Sequence, residues 1–404
     1  MIKLGIIREG KNPPDKRVPL TPQQCVAVQK RFPQVKLFVQ PSAIRSIPDS
    51  EYALAGIPLQ DDLSNCDILM GVKEVRIDML IPGKTYLFFS HTYKKQAYNR
   101  SLLQAILAKK ISLIDYELLT DARGRRIVGF GRYAGIVGCY NALLALGLRS
   151  GLYQLKPAHQ CQDRKEVEAE LKKVRFPDAY RIVLTGKGRV AGGAIEMLDL
   201  VDIDRLEADE FMKTPKNKRP AYTQLGVVHY NRKKDGSPFT NKDFYERPCE
   251  FESNFMPFAR VSHMYISCHY WDERAPFIFS REDARRNDFK IDIVADISCD
   301  IDGPVASTLR PSTISEPLYG YDPKAERETK FDNPDAIGVM AVDNLPCELP
   351  QDASADFGQE LLDNVLPELL SEGRSEIIER ARESNLQGEL TQAFAYLQDY
   401  VEEV

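Results

Sequence analysis

Residues 181–198 read Arg-Ile-Val-Leu-Thr-Gly-Lys-Gly-Arg-Val-Ala-Gly-Gly-Ala-Ile-Glu-Met-Leu, an order that predicts an apolar strand, a glycine turn and a helix. The spacing is Gly-x-Gly-x-x-Ala, a variant of the dinucleotide-binding fingerprint. Gly186 permits the tight turn, and Gly188 leaves room for phosphates beside the backbone. The amides that begin the helix, at Arg189 and Val190, then face the anion. The stretch predicts a dinucleotide site; the plainer alternative is a turn that merely needs small residues.

A carboxylate follows this fingerprint at the expected distance. Glu207, with Asp209 nearby, ends the next apolar run about 20 residues on, where the diol of a ribose is bound. An acid at this position disfavours the 2′-phosphate of NADP, whereas the basic cluster just beyond it would neutralise such a phosphate. The basic residues are Lys213, Lys216, Lys218 and Arg219. The predicted cofactor is therefore NAD(H) or NADP(H), with NAD(H) slightly favoured.

The composition describes a globular protein of more than one domain. A chain of 404 residues is too long for one ordinary core. The hydrophobic fraction of 43%, the charged fraction of 28% and the net charge of -5 predict no attraction to nucleic acid or to acidic membranes. No apolar run approaches the roughly 20 residues of a spanning helix, and Met1 precedes a strand pattern rather than a signal peptide. We expect a cytoplasmic protein.

The eight cysteines form no Cys-x-x-Cys pair. In a reducing compartment this scatter predicts buried thiols, not disulfides or a zinc site. Cys268-His269 is the nearest approach to a metal pair, but adjacent residues on a strand point to opposite faces. No metal site is expected.

The N-terminal part alternates between strand and helix patterns. Its strands are near-continuous apolar runs, which predicts a parallel sheet covered by helices on both faces. The expected strands are Ile2–Ile7, Val35–Gln40, Cys66–Val72, Thr85–Ser90 and Ile111–Tyr116, and the expected helices are Pro22–Arg31 and Gln96–Lys109. Thr21, Pro22 and Gln24 form a capping-box signal for the first helix. This half lacks a glycine fingerprint, so we expect it to hold the substrate.

The fold class expected is α/β, with two Rossmann-like domains and an active-site cleft between them. The substrate domain comprises residues 1–135 and is completed by the C-terminal helices within 340–404; residues 136–339 form the dinucleotide-binding domain. Further elements complete the prediction. They are a glycine-containing helix at Tyr133–Leu148, a surface helix at Gln160–Lys173, strands at Met264–His269, Phe289–Ile297 and Ile337–Val342, and helices at Ala353–Leu370 and Ser375–Val401. We expect residues 214–260 to contain short elements or to cover a sheet edge, and residues 302–335 to form a lid.

Polar side chains follow four of the predicted strands. They are Arg8-Glu9, Lys73-Glu74, His91 and Glu117. Ligands gather outside the carboxyl ends of parallel strands, so these side chains are candidates for a site, although each alone is more typical of a solvated loop. Amine chemistry needs groups that take and give a proton near neutral pH. Histidine does so unaided, whereas a lysine must be desolvated or placed beside positive charge.

Several motifs of the sequence resemble those of a known family. The motifs that carry the resemblance are Phe88-Phe89-Ser90-His91-Thr92, Leu113-Ile114-Asp115-Tyr116-Glu117, Gly124-Arg125-Arg126, Phe130-Gly131-x-Tyr133-Ala134-Gly135, Leu184-Thr185-Gly186-x-Gly188, Tyr270-Trp271, Asp296-Ile297-Ser298-x-Asp300 and Asp343-Asn344-Leu345-Pro346. They are similar to the lysine-forming saccharopine dehydrogenases, and most of all to the lysine-ketoglutarate reductase half of the bifunctional aminoadipic semialdehyde synthases. The wider family, which includes alanine dehydrogenase and a transhydrogenase subunit, shares the run from Arg17 to Pro22.

The resemblance implies a reaction and roles for particular residues. Saccharopine is interconverted with lysine and 2-oxoglutarate; Lys73 takes a proton from the secondary amine, His91 is acid and base for the water and carbinolamine steps, and Glu117 tunes that pair. Arg17 binds a substrate carboxylate. At the cofactor, Asp300 meets the nicotinamide ribose, and Asn344 and Leu345 lie beside the nicotinamide.

The chemistry of such a substrate suggests further contacts. Arg125 or Arg126 is a candidate to bind a carboxylate through two parallel hydrogen bonds, although at least one of them is expected to face water. Acids such as Glu9, Asp15 or Glu74 are candidates for an ammonium group.

Two other functions stay open. One is an alanine or opine-type amino-acid dehydrogenase that uses the same Lys73 and His91. The other is a sensor that holds a dinucleotide without turnover. The partners expected are small-molecule substrates and a second copy in a possible homodimer.

Overall fold

The computed structural model describes residues 1–213, 218–371 and 373–402. The chain forms two compact units: unit 1 comprises Met1–Phe130 and Pro350–Val404, and unit 2 comprises Gly131–Leu349. The chain therefore changes unit at 130/131 and 349/350, compared with the expected 135/136 and 339/340.

The strands of the described residues are short and mostly buried. They are β1 (Ile2–Ile6), β2 (Val35–Val39), β3 (Ile68–Met70), β4 (Thr85–Phe88), β5 (Ser112–Asp115), β6 (Arg181–Thr185), β7 (Asp204–Arg205), β8 (Ala221–Leu225), β9 (Asn231–Lys233), β10 (Phe251–Ser253), β11 (Met264–Ser267), β12 (Ile293–Asp296), β13 (Leu318–Asp322), β14 (Arg327–Thr329) and β15 (Ile337–Met340).

The α-helices range from one turn to 20 residues. They are α1 (Pro22–Arg31), α2 (Asp49–Leu54), α3 (Arg100–Ala108), α4 (Gly131–Ser150), α5 (Arg164–Leu171), α6 (Arg189–Leu198), α7 (Ala208–Phe211), α8 (Val227–Tyr230), α9 (Asn241–Glu246), α10 (Met256–Ala259), α11 (Arg281–Ala284), α12 (Pro350–Glu360), α13 (Leu366–Leu369), α14 (Glu376–Ala381) and α15 (Gln398–Glu402). Short 3₁₀ turns occur at Ile77–Met79, Thr92–Lys94, Ala97–Asn99, Tyr116–Leu118, Ala158–Gln160, Pro248–Glu250, Leu345–Glu348 and Gln392–Leu397, and a π-helical turn occurs at Leu361–Val365. Within the described ranges, no helix is both long and apolar enough to cross a bilayer.

The sheet of unit 1 is parallel throughout, in the order β2-β1-β3-β4-β5. Its side chains enter two separate cores, with Leu4 and Ile6 in one and Ile7 and Phe88 in the other. Both faces are therefore covered, which explains the continuous apolar runs. The strand order reverses between β1 and β3, and that switch point is where an open α/β sheet binds its ligand.

Helix α1 begins as its capping signal predicted. The Thr21 hydroxyl accepts a hydrogen bond from the Gln24 amide at 3.3 Å, and the Gln24 side chain accepts one from the Thr21 amide at 2.9 Å. The Gln24 side chain also donates to the Ala355 carbonyl at 2.7 Å. The capping-box prediction is confirmed, and the same glutamine ties α1 to α12.

The C-terminal segment of unit 1 departs from the sequence prediction. The helical pattern at Ala353–Leu370 is confirmed, as α12, the π-helical turn and α13. The single helix expected at Ser375–Val401 is wrong, because residues 382–384 lie beside β5 and residues 385–391 turn back on them. The Glu383 amide donates to the Leu113 carbonyl at 2.8 Å, and the Leu113 amide donates to the Ser384 hydroxyl at 3.1 Å. The free edge of β5 thus competes with local helix formation.

The main sheet of unit 2 is mixed, in the order β14-β13-β15-β12-β11-β6-β8-β7. The strands from β15 to β7 are parallel, and β13 and β14 add an antiparallel edge. The α/β prediction is confirmed, but this sheet is not purely parallel. The lid expected over residues 302–335 is wrong in part, because that segment contributes β13 and β14, the two antiparallel strands at one edge of this sheet.

Helices α4 and α6 pack backbone to backbone. A Cβ atom on Gly135 would lie 1.9 Å from the Val190 carbonyl oxygen, and one on Gly193 would lie 1.9 Å from that of Arg132. Only glycine allows this approach. The helix that follows the glycine turn is therefore held firmly on the longest helix of the unit.

All eight cysteines are free thiols. Five are buried, Cys249 is exposed, and Cys299 and Cys347 are partly exposed. The expectation of unpaired thiols is confirmed, whereas the expectation that all are buried is wrong for these three.

Candidate active site

Two side chains mark the switch point of the unit 1 sheet. Glu9 follows β1 and Lys73 follows β3. The Glu9 carboxyl accepts hydrogen bonds from the amides of Val72 and Lys73 at 2.7 and 2.9 Å. Burial raises the pKa of Glu9 to about 7 against those two hydrogen bonds. A carboxyl group that titrates near neutral pH thus fixes the backbone from which Lys73 projects.

Lys73 is a half-buried lysine whose charge is disfavoured. Its pKa is lowered by burial and by the positive charges of Arg17 and Lys11, which outweigh Glu74 and Asp15. Within the residues that the structure describes, its ammonium group has no hydrogen-bond or ion-pair partner. A lysine in these surroundings is suited to exchange a proton at a pH closer to neutrality than an exposed one.

His91 follows β4 in a left-handed conformation, with φ of 57°. Its Nδ1 lies 2.6 Å from Glu74 Oε1, and Lys11 Nζ donates to Glu74 Oε2 at 2.9 Å. Burial opposes the ionisation of Glu74, but the hydrogen bonds from His91 and Lys11 prevail and lower its pKa to about 2. An ionised carboxylate only accepts, so Nδ1 carries hydrogen and Nε2 is left for chemistry.

The Nε2 side of His91 faces a second carboxylate. Glu117 Oε2 lies 3.7 Å from His91 Nε2, at the end of β5. Glu117 also accepts from Arg126 at 2.7 Å and from Lys94 at 3.2 Å. Burial raises the pKa of Glu117, and the charges of Arg126 and Lys94 lower it further than burial raises it. The imidazole is therefore flanked by two carboxylates, each neutralised by its own cations.

The predicted carboxylate-binding arginines lie in different environments. Arg17 is buried, donates to both oxygens of Asp15 at 3.0 and 2.5 Å, and lies 4.2 Å over the ring of Phe130. Arg126 joins the histidine cluster through Glu117. Arg125 is 71% exposed and pairs with Asp121 at a hairpin tip. The structure therefore brings Arg126, but not Arg125, to the strand ends.

The glycine turn of unit 2 has the geometry that a pyrophosphate requires. Gly186 has φ of 104°, and a Cβ there would lie 2.4 Å from the Cys268 carbonyl oxygen. Gly188 caps α6, and the space around its missing Cβ is open to 4 Å. The first amides of α6, at Arg189 and Val190, begin at this open position. The residues fit a dinucleotide phosphate bound at a helix N-terminus.

The acid expected beside this turn lies one strand further out. Glu207 follows β7, whereas the strand next to β6 is β8. Glu207 and Asp209 are exposed at the start of α7. The group that contacts the turn is Gln224, whose amide donates to the Gly186 carbonyl at 2.9 Å while Arg205 donates to the Gln224 oxygen at 3.1 Å.

Two of the four basic residues beyond Glu207 are paired with acids. Lys218 binds Asp178, and Arg219 binds Asp202 and Asp204. Lys216 lies outside the described residues.

The remaining predicted cofactor residues lie at later strand ends of unit 2. Asp300 follows β12, and burial together with the nearby Asp296 raises its pKa to about 6. Asn344 caps the 3₁₀ turn after β15, and Leu345 is buried near Gly138. In the described ranges, no cluster of His, Cys, Asp and Glu side chains is placed to hold a metal ion.

Sequence reasoning missed most of the partners within the histidine cluster. The sequence predicts a substrate ammonium group as the partner of Glu74 and of Asp15. In the structure Glu74 binds His91 and Asp15 binds Arg17. Lys11 and Lys94 gave no signal, because a lone lysine in a loop is ordinarily solvated. Only the position of Glu74, directly after Lys73 at a strand end, pointed toward the site.

The fold is that of the alanine dehydrogenases and related transhydrogenases. The structure aligns with L-alanine dehydrogenase at a TM-score of 0.63 and 14% identity, covering 99% of each chain. It aligns with a transhydrogenase from Sinorhizobium meliloti at a TM-score of 0.62 and 12% identity, covering 96% of this chain and 100% of the other. Residues 5–137 match the family model described as alanine dehydrogenase/PNT, N-terminal domain.

Curated relatives narrow the likeness. The chain is 30% identical over 412 residues to the mitochondrial alpha-aminoadipic semialdehyde synthase of Mus musculus, covering 91% of this chain and 44% of the relative. It is 23% identical over 376 residues to saccharopine dehydrogenase [NAD(+), L-lysine-forming] of Schizosaccharomyces pombe, covering 89% of this chain and 91% of the relative. The chain thus spans less than half of the synthase and nearly all of the dehydrogenase. These comparisons confirm the resemblance drawn from the motifs.

Proposed function

We propose that this chain is a nicotinamide-dependent oxidoreductase that interconverts saccharopine with L-lysine and 2-oxoglutarate. The observation that carries the proposal is the Lys73 ammonium group, whose pKa is lowered and which has no carboxylate partner in the described residues. It lies at the switch point of the sheet, and the next residue, Glu74, binds His91. The names of the synthase and dehydrogenase relatives supply the substrate.

Oxidation of saccharopine begins with loss of a proton from its secondary amine. A neutral Lys73 accepts this proton, which explains why burial and neighbouring cations matter at this position. The carbon next to nitrogen then loses hydride, and an imine forms. Bound NAD(P)+ supplies the hydride acceptor, and the open turn at Gly188 and the amides of α6 would hold its phosphates.

Hydrolysis of the imine needs an acid and a base in turn. Water adds to the imine carbon while its proton passes to His91 Nε2, giving a carbinolamine. The same nitrogen then returns its proton to the amine nitrogen of the carbinolamine and takes the hydroxyl proton as the C–N bond breaks, which releases lysine and 2-oxoglutarate. Glu74 fixes the tautomer, and Glu117 stabilises the imidazolium that forms. Arg17 and Arg126 are the proposed contacts for substrate carboxylates.

Replacement of the proposed acid–base groups tests this assignment. Lys73→Met and His91→Gln should each lower kcat with lysine and 2-oxoglutarate by about 10²-fold or more, because each removes a proton-transfer group. The dissociation constant for NADH or NADPH, measured by fluorescence, should stay the same. Lys30→Met, at an exposed position in α1, is the matched control. Full activity of both variants would contradict the roles proposed.

Substrate comparison separates this function from its alternatives. Wild-type protein should oxidise NADH or NADPH in the presence of lysine and 2-oxoglutarate. Oxidation only with pyruvate and ammonium would identify an alanine dehydrogenase, and cofactor binding without any turnover would identify a sensor.

A cytoplasmic location and a homodimer are also proposed from the sequence. Cell fractionation and light scattering of the purified chain would test them directly.

A further inference from the structure

A closed network of polar side chains lies directly beneath His91. Ser90, Thr92, Asp115 and Glu383 are all fully or almost fully buried. Glu383 comes from the segment that runs along the edge of β5, and none of the catalytic steps above uses it. Two buried carboxyl groups with no ion-pair partner among the described residues require an explanation, because an isolated buried charge is costly.

The oxygen atoms of this network form a chain of short contacts. Glu383 Oε2 lies 2.7 Å from Thr92 Oγ1, Thr92 Oγ1 lies 2.6 Å from Ser90 Oγ, and Ser90 Oγ lies 2.6 Å from Asp115 Oδ2. A fourth contact, from Ser90 Oγ to Glu383 Oε1, is longer at 3.2 Å. Each short contact needs one proton, but the two hydroxyl groups supply only two.

The third proton belongs to one of the carboxyl groups, and their partners distinguish them. Asp115 Oδ2 accepts from the amides of Ser90 and His91 at 3.0 and 3.1 Å, and Oδ1 accepts from the Glu117 amide at 2.7 Å. Amide donors stabilise an ionised carboxylate. Within the described residues, the carboxyl group of Glu383 contacts only hydroxyl groups and receives no amide hydrogen bond, so Glu383 is the better site for the proton.

We propose that Glu383 is a neutral carboxylic acid that donates to Thr92, and that the relay Thr92–Ser90–Asp115 then holds the His91 backbone in its left-handed conformation. Glu383 is thus a positioning residue for His91, and its effect on turnover rests on the function proposed above. The relay is directional, with each hydroxyl donating toward Asp115. Its end point is the carboxylate oxygen that accepts from the amide of His91, the residue in the left-handed conformation, and from the amide of Ser90 before it.

The surroundings of Glu383 favour its neutral form. Burial, and then the negative charge of Asp115, raise the pKa of Glu383 to about 8; the contacts with Thr92 and Ser90, which would favour the ionised form, do not outweigh them. The other titratable groups that face this network are His91, Glu117, Tyr93, Tyr116, Tyr396 and Tyr400. Of these six groups, only His91 can carry positive charge, and it lies on the Asp115 side.

Three substitutions separate a neutral acid from a buried anion. Glu383→Gln keeps a donor and an acceptor, so it should retain more than about a third of wild-type kcat. Glu383→Leu and Thr92→Val remove the relay, and each should lower kcat by about tenfold or more while leaving the KM for the cofactor unchanged. Glu389→Gln, an exposed carboxyl in the same segment, is the matched control and should behave as wild type. Loss of activity in Glu383→Gln equal to that in Glu383→Leu would overturn the proposal.

Infrared spectroscopy tests the protonation state without reference to activity. At pH 7 the protonated-carboxyl stretch of Glu383→Gln should be weaker than that of wild type and Glu389→Gln by the contribution of one carboxyl group, whereas Glu9 contributes equally to all three. An unchanged band in Glu383→Gln would overturn the proposal even if the chain proves to catalyse another reaction. A band that weakens as expected, in a protein without saccharopine turnover, would uphold the neutral acid and reject only the proposed function.

Discussion

At the scale of single residues, the site depends on charges that are buried in pairs. Asp15 and Arg17 are each about 97–98% buried and hold one another through two hydrogen bonds. Glu74 and Glu117 are also mostly buried, but their partners Lys11 and Arg126 are 37% and 47% exposed. Lys73 is a cation of this site that has no carboxylate partner in the described part of the chain. Lys73 and His91 are therefore the groups to which we assign proton transfer.

Breaking the Asp15–Arg17 pair should lower the free energy of unfolding by an amount that depends on pH. Asp15→Asn should lower the free energy of unfolding at pH 7 by about 3–5 kcal/mol, because it leaves a buried guanidinium uncompensated. Burial opposes the ionisation of Asp15, but Arg17 lowers its pKa from 3.8 to about 2. Its stabilising contribution is therefore complete above about pH 4 and is lost as the pH falls toward 2.

Urea unfolding at a series of pH values measures this effect. The difference in the free energy of unfolding between wild type and Asp15→Asn should become smaller as the pH falls below about 4. Asp61→Asn is the control, because Asp61 is 74% exposed in its pair with Arg8 and should contribute little. Equal stability of Asp15→Asn and wild type at pH 7 would show that the pair is not a structural support.

Substitution of the two glycines in the turn after β6 should cause different defects. Gly188→Ala should fold normally, since the space around it is open, but should raise the dissociation constant for the cofactor by roughly tenfold, about 1.4 kcal/mol, because the methyl group occupies the phosphate approach. Gly186→Ala should also lower the free energy of unfolding, because its φ and the Cys268 carbonyl both exclude a side chain. Calorimetric titration with NADH and NADPH, alongside thermal unfolding, measures both. Wild-type affinity in Gly188→Ala would place the cofactor elsewhere.

At the scale of elements, helix α6 carries the turn and α4 holds it in place. Gly193→Ala should lower the free energy of unfolding by about 2 kcal/mol, because the new methyl group meets the Arg132 carbonyl. Gly192→Ala, the neighbouring residue on the same helix, meets nothing within 4 Å and should raise it by about 0.5–1 kcal/mol. Denaturant unfolding of the two variants measures the contrast. Equal effects of the two substitutions would show that the helices do not pack through Gly193.

The elements also show what local sequence patterns can predict. Thr21 and Gln24 predicted the start of α1, and residues 181–198 predicted β6, the turn and α6, because these signals lie within a few residues of each other. The helix expected at 375–401 is wrong, because the edge of β5 offers residues 382–384 hydrogen bonds from a distant part of the chain. Strand order is equally non-local, so the position of β8 between β6 and β7 was not predictable from the spacing of Glu207.

At the scale of the whole molecule, the chain leaves unit 1 after Phe130 and returns to it at Pro350. The returning segment supplies Phe357, which stacks on Phe130 at 4.4 Å, and Glu383 beneath His91. The strand ends of unit 1 could be predicted from sequence as the place for acid–base residues. The pairing of Glu74 with His91 could not, because it depends on β3 and β4 lying side by side. The pairing of Glu117 with Arg126 could not, because it depends on how residues 117–126 fold back on themselves.

The central claim is that this chain joins lysine to 2-oxoglutarate by transferring hydride to their imine. The direct measurement is mass spectrometry of the product formed from L-lysine, 2-oxoglutarate and nicotinamide cofactor deuterated at C4. We predict saccharopine that carries one deuterium at the carbon derived from the 2-oxo group, and formation of this product about 10²-fold or more slower with Lys73→Met. Oxidation of the cofactor without labelled saccharopine, or with label only in alanine when pyruvate and ammonium are supplied, would contradict the account.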